Sequence, residues 1–409
     1  MNGHEWAQIN SYRRSNLLAM PLPERESTAN AASYGAMTTG NELAAGIERL
    51  GLGRVGDVLA GHEAWIVGGV ARALVSGSRP DADIDIAVEG DLEPVLAALG
   101  LPTRRHDRFG TAVVALGDGR HADIARTRTE SYAHPGALPD VAPAAIGEDL
   151  GRRDFTANAI AIALAPPHRV LDPFDGAADL AAGRLRVLHP GSFADDPTRA
   201  IRAARYGARL GLQPDPSTRR LLAGADLGAV SAERRDAELR RLAAEHVAAA
   251  GFVLLDEWGV RPLPGGAAEL LPAVESKRMS PHWSGHAETA IRAMLIAAGS
   301  GPELDEARRL AAARPQRPSQ AVALADRAEP AVLLVAEAAG GSWIERYVNE
   351  WSRVGLEIDG DDLLAAGVPR GPAVGAGLAA ALERKLDGEI DGGREAELTA
   401  ALEAAAGSR

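Results

Sequence analysis

The stretch WIVGGVARALVSGSRPDADIDIAVEG, Trp65 to Gly90, decides how the rest of the chain is read. Trp65-Ile66-Val67 has the apolar continuity of a short buried strand, Gly68-Gly69 breaks it, and Val70 to Val75 begins a helix. Paired glycines let a backbone approach a phosphate closely, and the helix start behind them offers unpaired N–H groups to an anion. After a turn at Gly77 to Pro80 comes Asp83-Ile84-Asp85-Ile86-Ala87-Val88. Alternation along a strand puts Asp83 and Asp85 on one face and turns Ile84 and Ile86 to the core. Two carboxylates that close repel each other unless a divalent cation compensates them. A bare Asp-x-Asp is more often a solvated pair at a strand edge. The glycine turn ahead of it points instead to Mg²⁺, with Asp83 and Asp85 as ligands, holding a nucleoside triphosphate for in-line displacement by two-metal chemistry.

Composition sets the frame. A chain of 409 residues with 46% apolar side chains can bury several cores, and roughly two to four domains are expected. Aromatics are 4% while alanine and leucine abound, which favours helix over sheet along most of the length. With no cysteine, disulfides and cysteine-based zinc sites are excluded, and no apolar run reaches the length of a membrane span. The expectation is a soluble, cytoplasmic protein. A net charge of −12 argues against a generally basic nucleic-acid binder, but positive residues cluster between Arg199 and Arg241. Lys277 and Lys385 are the only lysines, so arginine carries nearly all the positive charge; a GC-rich genome explains that bias without any function attached.

Val67-Gly68-Gly69-Val70-Ala71-Arg72 followed by Asp83-Ile84-Asp85-Ile86 resembles the signature of class II tRNA nucleotidyltransferases, the CCA-adding enzymes, and of their bacterial poly(A) polymerase relatives. Ala71 stands where that family has valine, and Ala73 where it has an aspartate after the arginine. Further on, Glu148-Asp149-Leu150-Gly151-Arg152-Arg153-Asp154-Phe155-Thr156-Ala157-Asn158-Ala159 closely resembles the second family signature and is the most specific string in the chain. Arg152 and Arg153 offer fork-shaped donors suited to phosphate oxygens. Asp154 and Asn158, four apart, are expected on one helix face; the resemblance implies that Asp154 reads the ribose 2′-OH, while the residues alone allow a helix cap equally well. Between the signatures, Leu92–Leu99 reads as a short helix, and Thr111–Leu116 and Arg120–Ala125 as strands flanking the turn Gly117-Asp118-Gly119. Asp123 in the second strand is a candidate third carboxylate beside Asp83 and Asp85, a position where the family is also acidic. Arg128 to Pro139 is rich in loop formers and resembles the family's mobile loop. Val170 to Gly176 resembles its Asp-Pro-Phe-x-Gly segment, with Asp175 where glycine is common, and a structural role is expected there.

Phe193 to Leu210 reads as one helix with Pro197 in its first turn and Asp195 and Asp196 at its positive end. It resembles the family's Glu-Asp-x-x-Arg segment through Asp196 and Arg199. Cytosine and adenine each present an amino donor beside a ring-nitrogen acceptor, so a carboxylate next to a guanidinium complements both and rejects uracil and guanine. Glu233, Arg234 and Glu238 resemble a further charged segment and are read as scaffold. His282 and His286 lack a following His-Asp pair and are assigned no metal. Arg314 to Pro318 reads as a joint between alanine-rich helices. Gly367 to Pro372 resembles the family's tRNA-gripping tail.

The resemblance implies an α+β fold: a nucleotidyltransferase-type mixed-sheet head over residues 41–172, then a helical neck (173–245), body (246–345) and tail (346–409); residues 1–40, which lack sustained periodicity, read as a disordered leader. It implies addition of C and A from CTP and ATP to the 3′ end of tRNA, with Asp83, Asp85 and Asp123 catalytic. Gly68, Gly69, Arg72, Arg152, Arg153, Asp154, Asn158, Asp196 and Arg199 bind the nucleotide. The same motifs would serve a poly(A) polymerase or an enzyme restricted to CC or to A. A non-catalytic RNA-binding relative fits the missing aspartate at Ala73 and the acidic net charge; the intact metal pair argues against it.

Overall fold

The computed structural model describes residues 40–80, 83–101, 103–106, 110–116, 120–391 and 393–407. The expected leader, the glycine turn at 117–119 and Arg108 lie outside them. The chain divides into two compact units, one ending at Ser231 and one running from Ala232 to Arg409.

The first unit is built on a seven-stranded mixed sheet. Its strands are β1 (Ala64–Val67), β2 (Ile84–Val88), β3 (Thr103–His106), β4 (Thr111–Ala115), β5 (His121–Arg126), β8 (Ala161–Ala163) and β9 (Val170–Leu171). They lie in the order β3-β4-β5-β2-β1-β8-β9. β2 and β5 are parallel and the other neighbours antiparallel. A separate hairpin pairs β6 (Arg128–Ser131) with β7 (Asp140–Pro143). Ile66, Ile84 and Ile86 are at most 2% exposed, so the alternation in the quoted stretch fixes which face is core. The other face carries Trp65, Val67 and Ala87, packed against Ile146 and Leu150 of the helix Ile146–Gly151. That helix covers only part of the face, and the remainder forms the site.

Local chemistry accounts for the element ends. Asp91 caps Leu92–Leu99 by accepting from Glu93 N, and Gly100 closes the helix in the left-handed region. The apolar rhythm from Asn41 to Leu59 forms two helices, Gly40–Arg49 and Arg54–Leu59, because Gly51 and Gly53 break it with positive φ. Asp172 caps Gly176–Ala181 through Gly176 N and Ala177 N at 2.7 and 2.9 Å. Asp175 takes φ 57 and ψ 35, a conformation that glycine adopts without strain, which explains the glycine usual at this place.

Three expectations of local structure are corrected. Arg128 to Pro139, read as loop, begins with a strand and belongs to the β6–β7 hairpin. Asp154 to Asn158 is not an α-helical turn: Phe155 is extended and bridges to Val187, and only Thr156–Asn158 coils as a 3₁₀ turn. Phe193 to Leu210 is two helices, Ser192–Asp195 and Arg199–Leu210. Asp196, at φ −137 and ψ 94, breaks between them, as expected of a residue directly before Pro197.

The second unit is helical throughout its described residues. Its helix Ala232–Ala244 buries Glu238 beside Arg241. His282 is buried against Glu337, whose carboxylate also accepts from Lys277 and Trp283. Three helices beginning at Pro302, Pro318 and Pro330 bear out the joint near Arg314 to Pro318. The last three helices, Gly360–Ala365, Pro372–Leu386 and Arg394–Gly407, pack on a small core around Leu363, Ala381 and Ala401. No helix among the described residues is long and apolar enough to cross a membrane.

Candidate active site

The glycine turn and the carboxylates meet toward one end of the central strands β5, β2 and β1. Val67 is paired with Asp85 across β1 and β2, and Asp85 with Asp123 across the parallel ladder of β2 and β5. Ladder partners project to the same side, so the two carboxylates leave the same face. Asp83, exposed, sits one residue ahead of β2. Gly68 has φ 67, and a Cβ placed on it would lie 2.9 Å from Asp85 Oδ2. Glycine is therefore required here by the backbone and by the carboxylate at once. Gly69 continues the helix Gly68–Val75. Burial pushes the Asp85 carboxyl up, Arg153 opposes it, and the charges of Asp123 and Asp83 add to it, leaving Asp85 at about 6. Among the described residues no three His, Asp or Glu side chains form a ready cage for a metal ion.

A cavity of ≈ 410 Å³ opens over this face, lined by Asp85, Asp123, Arg128, Asp149, Arg152 and Arg153 among others. Asp149 organises its basic wall. Its carboxylate, 2% exposed, accepts from Arg152 Nη2 at 2.7 Å, Arg153 Nη2 at 2.9 Å and Arg128 N at 3.2 Å. Burial alone would raise Asp149, but Arg153 and Arg152 hold it below the ordinary carboxylate range. Arg152 also donates to Glu130 Oε1 at 2.7 Å, and Glu130 takes further bonds from Arg128 and from the Tyr132 hydroxyl. Arg153 keeps its Nε buried with no hydrogen-bond partner, an unsatisfied cationic donor at the cavity wall.

Asp154 lies behind that wall and is 4% exposed. Oδ1 accepts from Phe155 N at 2.8 Å and Asn158 Nδ2 at 2.9 Å, and Oδ2 from Arg202 Nε at 2.9 Å. Burial would raise this carboxyl, but Arg202, the Asn158 bond and Arg199 hold it down at about 2. Asn158 Oδ1 in turn accepts from Arg72. The spacing of Asp154 and Asn158 does bring them together, through an extended residue and a 3₁₀ turn rather than along a helix face.

Asp196 Oδ1 accepts from Thr198 N at 3.0 Å and Thr198 Oγ1 at 2.6 Å, in the turn ahead of the helix that begins at Arg199. Arg199 is 6% exposed and donates to Ser192 Oγ and to the Arg152 carbonyl, each at 2.8 Å. The backbone of the phosphate-side arginine thus anchors Arg199. Three side chains of this constellation were not singled out in the sequence: Asp149, Glu130 and Arg202. Each is an acid or base whose sequence neighbours suggest a surface ion pair; the available signal was an acid three residues ahead of Arg152 and an arginine three beyond Arg199, both inside the quoted motifs.

The chain and its fold are similar to known proteins. Residues 64–186 match the poly A polymerase head domain family. The chain is 35% identical over 332 residues to the CC-adding tRNA nucleotidyltransferase of Deinococcus radiodurans, covering 78% of this chain and 83% of that one. It is 37% identical over 205 residues to the A-adding tRNA nucleotidyltransferase of Halalkalibacterium halodurans, covering 47% of this chain and 48% of that one. Among solved structures, the apo form II of a CCA-adding enzyme superposes with a TM-score of 0.73 at 26% identity, over 90% of this chain and 96% of the other.

Proposed function

This chain belongs to the tRNA nucleotidyltransferase family, and we propose that it adds C and A residues from CTP and ATP to the 3′ end of tRNA, releasing pyrophosphate. The observation that carries the reading is the pairing of Asp85 with Asp123 beside the Gly68 turn, under a cavity walled by Arg152 and Arg153. We assign Mg²⁺ to this end of the central strands. Mg²⁺ is held by one or two carboxylates together with substrate phosphates, so a protein cage is not needed; burial, with the charges of Asp123 and Asp83 adding to it, lifts Asp85 to about 6, and a bound cation would compensate the buried carboxylate. Asp83, Asp85 and Asp123 fit that role, and the cations, when bound, would activate the terminal 3′-OH and neutralise the triphosphate.

The chain's own residues do the rest. Gly68 lets the backbone and the triphosphate approach Asp85 without a Cβ between them. Arg152 and Arg153, oriented by Asp149, present guanidinium charge to phosphate oxygens, and the orphan Nε of Arg153 supports this. Asp154, Asn158 and Arg72, all buried, are assigned to the sugar side of the site, with Asp154, whose carboxylate is bonded to Phe155 N, Asn158 and Arg202, assigned to the ribose 2′-OH. Asp196 and Arg199 are assigned to the base edge, on the complementarity of a carboxylate and a guanidinium to C and A. The helical tail over residues 346–409 is assigned to tRNA binding, and the location to the cytoplasm.

One observation favours a second reading. The CC-adding relative from Deinococcus radiodurans matches 78% of this chain, while the A-adding relative from Halalkalibacterium halodurans matches 47%, which favours an enzyme restricted to C addition. Incubating the protein with tRNA transcripts lacking their 3′ end, or ending in C or CC, and sequencing the products decides between them. Addition stopping at CC establishes the second reading, and no addition to any transcript overturns both.

A further inference from the structure

Behind the cavity, side chains from three segments close into a circuit. Arg202 holds Oδ2 of Asp154 through Nε at 2.9 Å and Nη2 at 2.6 Å. Asp154 Oδ1 holds Asn158, and Asn158 Oδ1 accepts from Arg72 on the helix behind the glycine turn. The Arg72 guanidinium lies over the ring of Tyr206, 5.5 Å from its centroid. Tyr206 is four residues beyond Arg202 on the helix Arg199–Leu210, hence on the same face, and meets Phe155 edge-on at 5.9 Å. The circuit therefore joins the glycine-turn helix, the Asp154–Asn158 segment and the helix that begins at Arg199.

We propose that Arg202 is a positioning residue for nucleotide selection, its two-point grip on Asp154 fixing the rotation of the helix Arg199–Leu210 and so the placement of Arg199 and Asp196 against the incoming base. This rests on the nucleotide-addition reading above. A guanidinium fork making two bonds to one carboxylate sets orientation as well as distance, which a lysine ammonium does not. Selection by hydrogen bonds tolerates only about 0.5 Å and 10–20° of error, so the helix that carries Arg199 needs a second fixed point beyond its own start. Arg199 is tied at its tip to Ser192 and the Arg152 carbonyl; Arg202, one turn on, supplies the fixed point from the sheet side. Asp154 holds Arg202 in place with a buried carboxylate whose other oxygen is already committed.

The test compares Arg202→Met and Arg202→Lys with wild type in the full-length chain. Equilibrium binding of CTP, ATP, UTP and GTP in Mg²⁺ buffer is measured by calorimetry without tRNA, kcat and KM are measured for each nucleotide, and folding is followed by thermal melting. Arg202→Met is expected to narrow the preference for CTP and ATP over UTP and GTP by about tenfold or more, while kcat with the preferred nucleotides falls by less than about threefold. Arg202→Lys is expected to recover part of the preference. A merely structural arginine would lower stability and affect all four nucleotides alike, so unchanged discrimination in folded Arg202→Met overturns the proposal. Should Arg202→Met fail to fold, Arg202→Lys decides: weakened discrimination supports the proposal and wild-type discrimination overturns it. A failure of the underlying reading is distinguishable, because wild type itself would then show no preference for CTP or ATP.

Discussion

Replacing Gly68 by alanine separates the chemistry of the site from its stability. Gly68 sits at φ 67, where an L-residue is strained by about 1–2 kcal/mol. Alanine also restricts the unfolded chain, which offsets about 0.4–1 kcal/mol, so the net loss of stability is about 1 kcal/mol. In an unfolding unit the size of the first unit, which ends at Ser231, that shifts Tm by roughly 2–4 °C. The new Cβ, however, would stand 2.9 Å from Asp85 Oδ2, closer than such contacts occur, so the carboxylate must retreat by several tenths of an ångström. A misplacement of about 1 Å can lower a rate by about 10²-fold, and we expect at least about a tenfold loss of nucleotide addition here. Gly183 is the control. It has φ 64, and a Cβ added there would meet nothing within 4 Å, so Gly183→Ala should lose similar stability and keep its activity. Melting curves and initial rates on a tRNA ending in CC or C are compared for both variants. If Gly68→Ala retains wild-type rates, or loses no more than Gly183→Ala, the close approach of backbone and carboxylate has no part in the reaction.

Asp85→Asn should abolish addition and also change the pH dependence of stability in the metal-free protein. Because the folded value of about 6 lies above the ordinary 3.8, the folded state holds the proton more tightly, and stability falls as pH rises from about 4 to 6 by about 3 kcal/mol, order of magnitude. Asp85→Asn should flatten that fall, and denaturant melts at pH 4, 5, 6 and 7 check it; an unaltered pH profile would count against a buried Asp85 carboxyl that holds its proton. Asp154, held at about 2, acts oppositely and lower, its contribution being lost only as pH drops below about 4, so the two windows do not overlap. Asp154→Asn should erode the preference for ATP over dATP more than it weakens tRNA binding, and an unchanged preference would leave Asp154 with the structural circuit alone. Asp196→Ala should relax selection so that U and G are taken as well as C and A; removing the acceptor costs about 1–3 kcal/mol for the correct base, and incorporation of all four nucleotides is the readout. An Asp196→Ala enzyme that still takes only C or A would place base reading elsewhere.

The sequence revealed elements wherever burial follows a period. Ile84 and Ile86 alternate with Asp85, and Leu92 to Leu99 repeats with helical spacing behind a capping Asp91, so these elements were readable. β3 was missed because an edge strand of Thr103-Arg104-Arg105-His106 has one neighbour and no apolar alternation. β8 was missed for the opposite reason: Ala161 to Ala163 sits inside the sheet, paired to β1 and β9, and its alanine-rich surroundings read as helix. The types of the site residues were legible because cations and phosphates restrict which side chains can serve. Their supports were not, since Asp149, Glu130 and Arg202 become partners of Arg152 and Asp154 only through folding, across separations as long as the 48 residues between Asp154 and Arg202.

The same pairing resolves the conflict between an acidic chain and a polyanionic substrate. Arginines around the site do not add up to a free basic surface: Arg152 rests on Asp149 and Glu130, Arg153 on Asp149, Arg202 on Asp154, and Arg184 and Arg186 on Asp179. Each carboxylate sets the direction of a guanidinium while lowering its net charge, so net charge measures neither the number nor the aim of the phosphate-facing donors. A buried acid that fixes an arginine fork reduces long-range attraction and raises local definition. For an enzyme that must choose between nucleotides bearing identical triphosphates, definition at the base and sugar matters more than attraction at the phosphates, since attraction common to all four nucleotides contributes nothing to the choice.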